Sequence, residues 1–363
     1  LDKGTREMVE IPSNHKIREP WLAVILSLLW PGIGQFYVGK LWKAIIVSII
    51  TIGSFCWGIW SIFSRYGNAK QGWIVFTLSI CLYFWNIIDA WRSAKKTNEF
   101  DINIERKKKK DPYLAILLTS IIPGLGHIYL KQFRIGIPFL IVSVVLQFIE
   151  IEKMVSILIG VLLLSVALFH IFKYLTNHQS VSNTIRILIF VIIFEGFCIS
   201  SVTEIVTTQW IRVKVLSGNS DLPTLMGGDV VVEDMQRENN MKIGSFIVFS
   251  YKGIFQKQNK YLIKRLIGFE GEEICIDSGM VYVNHKKLTG YPFSNLYYST
   301  DSTCLYATKQ YPYYVPSDCV FVLGDNSSES FDSRSIGGIN KKNIISIAYK
   351  IIWPYDRIKT LEP

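Results

Sequence analysis

Ser217-Gly218-Asn219-Ser220-Asp221-Leu222-Pro223-Thr224-Leu225, closed by Gly227-Gly228-Asp229, separates two unlike halves of the chain. Upstream, residues 21 to 207 hold nearly all the long hydrophobic runs. Downstream, residues 208 to 363 alternate apolar and polar positions as a half-buried β domain does. Ser220 therefore stands beside a membrane exit, and Lys264 follows it in a strand-like stretch with no obvious histidine partner for the serine. A serine hydroxyl is a weak nucleophile until a base removes its proton. Lysine can be that base only when neutral, a form that burial among apolar neighbours favours. Lys264 lies between Ile263 and Leu266 and can face inward; otherwise Lys264 and Arg265 are solvent-facing charges on an edge strand. The inward reading points to hydrolysis at a membrane surface by a Ser/Lys pair.

The chain has 363 residues, half of them apolar, which is enough for two domains. Its net charge of +10 raises the question of nucleic acid, but much of the excess sits between hydrophobic segments, as in Arg106-Lys107-Lys108-Lys109-Lys110. That placement fits cytoplasmic loops better than a nucleic-acid surface. The first twenty residues carry Pro12, Pro20 and several charges, so no cleavable signal peptide is expected there. The six cysteines show no metal-ligand spacing, and neither a metal nor another cofactor is expected. Cys56, Cys81 and Cys198 read as small buried hydrophobes. Cys304 and Cys319 flank a Tyr-rich loop and can pair if that part is extracytoplasmic.

The hydrophobic half contains a repeat. Pro20-Trp21-Leu22-Ala23 is echoed by Pro112-Tyr113-Leu114-Ala115, and Pro31-Gly32-Ile33-Gly34-Gln35-Phe36-Tyr37 by Pro123-Gly124-Leu125-Gly126-His127-Ile128-Tyr129. Each copy, about 20–98 and 112–177, continues into two apolar runs: 44–63 and 72–91, then 135–149 and 154–175. A further run at 185–203 leads to the serine stretch. If every run crossed a membrane with the second half outside, the Lys-rich 92–110 segment would be outside too, against the positive-inside rule. The apolar stretches before Pro31 and Pro123 are only ~10 residues, short of the roughly twenty that span, and Pro-Gly breaks a helix. We therefore expect five spans plus two re-entrant or interfacial segments. The expected divisions are a duplicated module over 1–183, an anchoring helix over 184–207 and an extracytoplasmic domain over 208–363. Asp89, Glu195 and Glu204 fall near run ends and read as interfacial, and His127 reads as a packing or hydrogen-bonding residue in the place of Gln35.

Short strands are expected at Val213–Leu216, Val230–Glu233, Ser245–Ser250, Tyr261–Ile267, Ile274–Ile276, Val281–Val283, Val320–Leu323 and Ile344–Ile351, with no long amphipathic helix. The fold class is thus a membrane-anchored protein: a helical transmembrane half followed by an all-β domain, a partly open barrel of antiparallel sheets. Three boxes within this half, in order, are the serine stretch, Tyr261-Leu262-Ile263-Lys264-Arg265-Leu266-Ile267-Gly268, and Gly324-Asp325-Asn326-Ser327-Ser328-Glu329-Ser330-Phe331-Asp332-Ser333-Arg334. Together they resemble the boxes of bacterial type I signal peptidases over about 200 to 363. The repeated half is not part of that resemblance.

The resemblance implies a Ser/Lys serine endopeptidase that cuts signal peptides from exported preproteins at the outer face of the bacterial cytoplasmic membrane, after small residues at the first and third positions before the cut. It implies Ser220 as nucleophile, Lys264 as base and Ser330 as the hydroxyl that orients the amine. Asp332 and Arg334 would form an ion pair beneath the site, and Asp325 would hold the loop. Leu222 and Pro223 would contact substrate, which would bind as an extended strand on a sheet edge. Where some members have an oxyanion-stabilising hydroxyl, this chain has Gly218, leaving the Ser220 N–H as a candidate donor. Where the family has methionine, it has Asp221, which either pairs with Lys264 and weakens it as a base or points to solvent by strand alternation. Implied partners are preprotein signal peptides, membrane lipid and the secretion translocon, with no nucleic acid. The alternative is a weak or inactive protease-like domain on a membrane scaffold or quality-control module. Self-cleaving Ser/Lys repressors lack membrane spans, and a transporter would need a charged intramembrane cluster.

Overall fold

The structure, a computed structural model, describes residues 18–98, 110–146, 148, 153–178, 183–235, 241–252, 260–300 and 304–361, without the side chains of 153–158 and 200–209. Pro12, Arg106–Lys109, Glu150, Glu152 and the side chain of Glu204 lie outside these residues. The chain divides into two compact units. One contains Leu1–Trp57 and Val75–Ser201, and the other contains Gly58–Ile74 and Val202–Pro363.

The first unit is built on the repeat. In the first copy α1 (Pro20–Leu29) and α2 (Ile33–Tyr37) lead to α3 (Leu41–Phe63) and α4 (Ala69–Thr97). In the second, α5 (Pro112–Ile121) and α6 (Leu125–Tyr129) lead to α7 (Phe133–Val145) and α8 (Lys153–His178). Both short helices start at a proline, whose missing N–H costs nothing in the first turn. Both chains then reverse at Pro-Gly. Gly32 and Gly124 sit at φ +92° and +108°, and a Cβ on either would collide with the helix that follows, at Ala44 and at Gly136. The return is closed by tyrosine: the Glu19 N–H donates to Tyr37 Oη (2.9 Å) and the Asp111 N–H to Tyr129 Oη (3.0 Å). Each Pro-Gly-x-Gly-x-x-Tyr segment thus begins and ends at one place.

These short helices form the unit's interior. Leu22, Ile25, Ile116 and Leu117 pack with Leu168, Ile171 and Leu175 of α8 and with Ile185 and Leu188 of α9 (Asn183–Gln209). The long helices instead turn bulky apolar residues outward, including Trp42, Ile49, Phe84 and Trp85. Such faces are stable in lipid rather than in water. Three helical segments among the described residues are long and apolar enough to cross a membrane: Leu41–Phe63, Ala69–Thr97 and Ile159–Thr176. The 135–149 run gives only the 13 residues of α7, with Pro138 inside it. Polar side chains find partners near helix ends. Lys43 pairs with Asp89 (2.6 Å), Gln35 Nε2 donates to Asp89 (3.1 Å), and His127 Nε2 lies 3.2 Å from His170 Nδ1.

The second unit is antiparallel β. Its larger sheet runs β1 (Ile211–Val215), β2 (Val230–Asp234), β11 (Ile344–Trp353), β3 (Phe246–Tyr251), β4 (Lys260–Phe269), β9 (Cys319–Leu323), β10 (Ile339–Asn340), with β12 (Lys359–Thr360) also on β11. The smaller runs β7 (Lys286–Lys287), β6 (Met280–Val283), β5 (Glu273–Asp277), β8 (Tyr313–Tyr314). Among the described residues neither sheet path closes on itself, so the barrel they form is open. Ile267, Phe321 and Leu323 of the larger sheet bury against Ile274, Ile276 and Val281 of the smaller. Ile247, Phe249, Val322 and Ile347 make a second core. No disulfide joins Cys304 and Cys319, and Cys304 Sγ donates to Ser299 O (3.8 Å) instead.

Candidate active site

Ser220 lies in the turn between β1 and β2, which its own backbone fixes. Leu216 and Gly228 bond across its base (Gly228 N–H to Leu216 O, 2.8 Å), and the Leu225 N–H donates to Asp221 O (2.8 Å). Asp229 accepts from the Met226 N–H (2.9 Å) and holds Arg357 (2.7 Å). The third box closes over this turn: the Asn326 N–H donates to Ser220 O (3.1 Å). Gly324 makes that approach possible, since a Cβ there would overlap both Ser330 Oγ and Ser220 O.

Lys264 comes from the centre of β4, opposite Ile247 of β3, and is 2% exposed. Its Nζ donates to Ser220 Oγ (2.5 Å), Asp221 Oδ2 (3.0 Å) and Ile263 O (2.6 Å). The Ser220 hydroxyl in turn donates to Asp221 Oδ2 (2.7 Å). Asp221 is buried, and burial pushes its carboxyl above the usual range, partly offset by the Lys264 charge and the bonds from Ser220 and Lys264. Of the two expectations for Asp221, pairing with Lys264 is the one realised. Alternation of faces holds along a strand, and residue 221 is in a turn.

Ser330 Oγ is buried and makes no hydrogen bond. Its expected bond to the lysine amine is not formed, because the three protons of an ammonium are already taken. Arg265 points to the other face of β4 and is as buried as Lys264, so it is not a solvent-facing charge. It clamps Asp325 through Nε (2.7 Å) and Nη2 (2.6 Å) and lies 4.1 Å from the Phe246 ring centre. Asp325 also accepts from Thr224 Oγ1 (2.5 Å), which ties the third box to the serine turn. Asp332 pairs with Arg334 (2.9 Å) and accepts from the Gly324 N–H (2.9 Å). The β4 strand pattern alone could have revealed Arg265, since two adjacent charges on a central strand must face opposite sides.

A cavity of about 170 Å³ adjoins Ser220, with Asp221, Leu225, Glu233, Tyr261 and Lys264 among its walls. Leu222 and Pro223 line a different, open hollow with Tyr297 and Asn326, so they do not contribute to this cavity. Gly218 borders the cavity and has open space where a side chain would project.

The family model for signal peptidase, peptidase S26, matches residues 185–353, which take in Ser220, Asp221, Lys264, Arg265, Asp325, Ser330, Asp332 and Arg334. A signal peptidase I of Leptolyngbya laminosa is 33% identical over 156 residues, covering 41% of this chain and 72% of that protein. The signal peptidase I P of Bacillus subtilis subsp. natto is 32% identical over 149 residues, covering 40% of this chain and 78% of that protein. The chain belongs to the signal peptidase I family. It is a peptidase whose substrates bear signal peptides, and its apolar helices associate it with a membrane. The repeated helices up to His178 lie outside the matched residues of this signal peptidase. A crystal structure of a signal peptidase I from Enterococcus faecalis V583 is 24% identical, covers 30% of this chain and 97% of that chain, and has a TM-score of 0.23.

Proposed function

We propose that this signal peptidase is a Ser/Lys serine endopeptidase acting on preproteins at the outer face of the bacterial cytoplasmic membrane. The observation that carries the proposal is the buried Lys264 amine 2.5 Å from Ser220 Oγ. In the neutral form the amine takes the serine proton as Oγ attacks the scissile carbonyl carbon. It then passes that proton to the leaving amine, and water releases the acyl-enzyme. The Ser220 N–H stabilises the developing oxyanion. Arg265–Asp325 and Arg334–Asp332 hold the boxes in register without touching substrate. Preprotein binds as an extended strand beside β1 and β4, delivered from the translocon and flanked by lipid.

The orientation rests on charge. Lys40 and Lys43 flank the start of α3, and Arg92, Lys95 and Lys96 lie at the end of α4. The turn joining these helices, within Gly58–Ile74, belongs to the β unit. The positive-inside rule puts the basic ends in the cytoplasm and the turn, with the β unit, outside. The re-entrant hairpins leave five spans: α3, α4, the segment around α7, α8 and α9. The domain limits remain 1–183, 184–207 and 208–363 in this proposal, with the turn within Gly58–Ile74 grouped with the β unit.

Asp221 favours a second reading, a weak or inactive peptidase, because it holds both the serine proton and the lysine. Cleavage of a preprotein by the purified chain decides between them. Ser220→Ala and Lys264→Ala should each abolish cleavage. Unchanged product in either variant would sink the dyad, and cleavage appearing only with Asp221→Met would establish the weak enzyme.

A further inference from the structure

Two carboxyl side chains, together with Lys214 and Lys264, border the cavity beside Ser220. Glu233 of β2 borders it and is fully buried, with Oε2 held by Ser346 Oγ (2.7 Å) and Oε1 without a hydrogen bond. Asp221 borders it from the serine turn, and its Oδ1 is likewise buried and unpartnered. Of the cations on the same walls, Lys264 has used its three donors and Lys214 Nζ stands 4.8 Å from the Tyr261 ring centre. The buried side-chain atoms of these walls left without a hydrogen bond, Glu233 Oε1 and Asp221 Oδ1, are both acceptors. A buried carboxylate oxygen without a donor is costly, and the cost is recovered when a ligand supplies the donor. At about 170 Å³ the cavity has room for a small side chain.

We propose that Glu233, with Asp221, makes this cavity select a substrate residue with a small hydrogen-bond-donating side chain, serine above all, over alanine. The inference rests on the peptidase reading above, in which the cavity adjoining Ser220 receives residues just before the cut. On an extended strand the first and third residues before the cut share a face, so either can deliver the hydroxyl. Glu233 is a specificity residue here and takes no part in bond making.

The test uses the full-length purified chain and peptides spanning an export-signal cleavage region. Alanine at the first and third positions is replaced by serine, singly and together, and cut sites are read by mass spectrometry. The wild type should favour serine over alanine at one of these positions by about tenfold in kcat/KM, the scale of one buried hydrogen bond. Glu233→Val should bring the serine-to-alanine ratio of kcat/KM to about one, and Glu233→Gln, which keeps an acceptor oxygen, should retain part of the preference. Equal cleavage of alanine and serine peptides by the wild type overturns the selectivity and leaves the peptidase reading intact. So does a preference that persists unchanged in Glu233→Val. Absence of cleavage of every peptide by the wild type overturns both.

Discussion

Lys264 donates to Ser220, Asp221 and the carbonyl of Ile263, and the neighbouring Ser330 hydroxyl is left with nothing. Asp221 thus takes the place that the family resemblance gives to Ser330. Burial pushes the Asp221 carboxyl above the usual range, so it ionises later than an exposed aspartate as pH rises. Once ionised, it holds Lys264 at 3.0 Å. Asp221→Asn keeps this side chain neutral throughout. The ratio of variant to wild-type kcat/KM should therefore be flat on the acidic side, where Asp221 is protonated, and rise as the wild-type carboxylate forms. A constant ratio would exclude this coupling. Gly218 has open space around it, so Gly218→Ser should fold normally and raise kcat by roughly tenfold or more if its hydroxyl reaches the oxyanion. An unchanged kcat would place that hydroxyl out of reach. The Ser220–Lys264 contact and the Asp332–Arg334 pair are contacts that the resemblance of the three boxes implied. The direction of Asp221 was not legible, because strand alternation says nothing about a turn. The place of Glu233 on the cavity was not either, because it is fixed only when β1, β2 and β11 are paired around it.

At the scale of elements, the eight expected strands correspond to β1, β2, β3, β4, β5, β6, β9 and β11, displaced at their ends by a few residues. Apolar alternation and Gly-rich turns carry that much. The strands that were missed are β7, β8, β10 and β12, each of two residues. Their existence depends on a neighbour's free edge rather than on their own composition. In the helical half, the Pro-Gly break was legible but the reason for the tyrosine was not. Tyr37 and Tyr129 close each hairpin on a backbone N–H eighteen residues earlier. Tyr37→Phe and Tyr129→Phe should each cost about 1 kcal/mol. Gly32→Ala and Gly124→Ala should cost much more, since both left-handed backbone and close contact forbid a Cβ. Gly53→Ala, with no neighbour near its Cβ, should be neutral or mildly stabilising. Thermal unfolding in detergent measures all five, and equal losses for Gly32→Ala and Gly53→Ala would refute the hairpin account.

For the whole molecule, the proposed orientation turns on the segment that joins α3 and α4. Lys350 of β11 is buried, and its Nζ donates to the carbonyls of Ser61 (3.1 Å), Ser64 (2.8 Å) and Gly67 (2.7 Å) at the end of α3. A cation there also suits the negative end of the helix dipole. Tyr349 Oη donates to Phe63 O (2.5 Å) and Trp73 Nε1 to Ile352 O (3.0 Å). These contacts fasten the turn to the sheet within one compact unit. The 29 residues of α4 then extend about 43 Å, more than the ~30 Å of a hydrocarbon core. Its basic end is therefore a membrane thickness away from the turn. In a background with the native cysteines replaced, Tyr66→Cys, whose position is 89% exposed, should react with an impermeant thiol reagent added to intact cells. Lys96→Cys should react only after the membrane is permeabilised. Labelling of Lys96→Cys from outside would refute the proposed orientation of the first hairpin and, because the Lys350 contacts tie the α3–α4 turn to the sheet, the proposed outer-face placement of Ser220 as well.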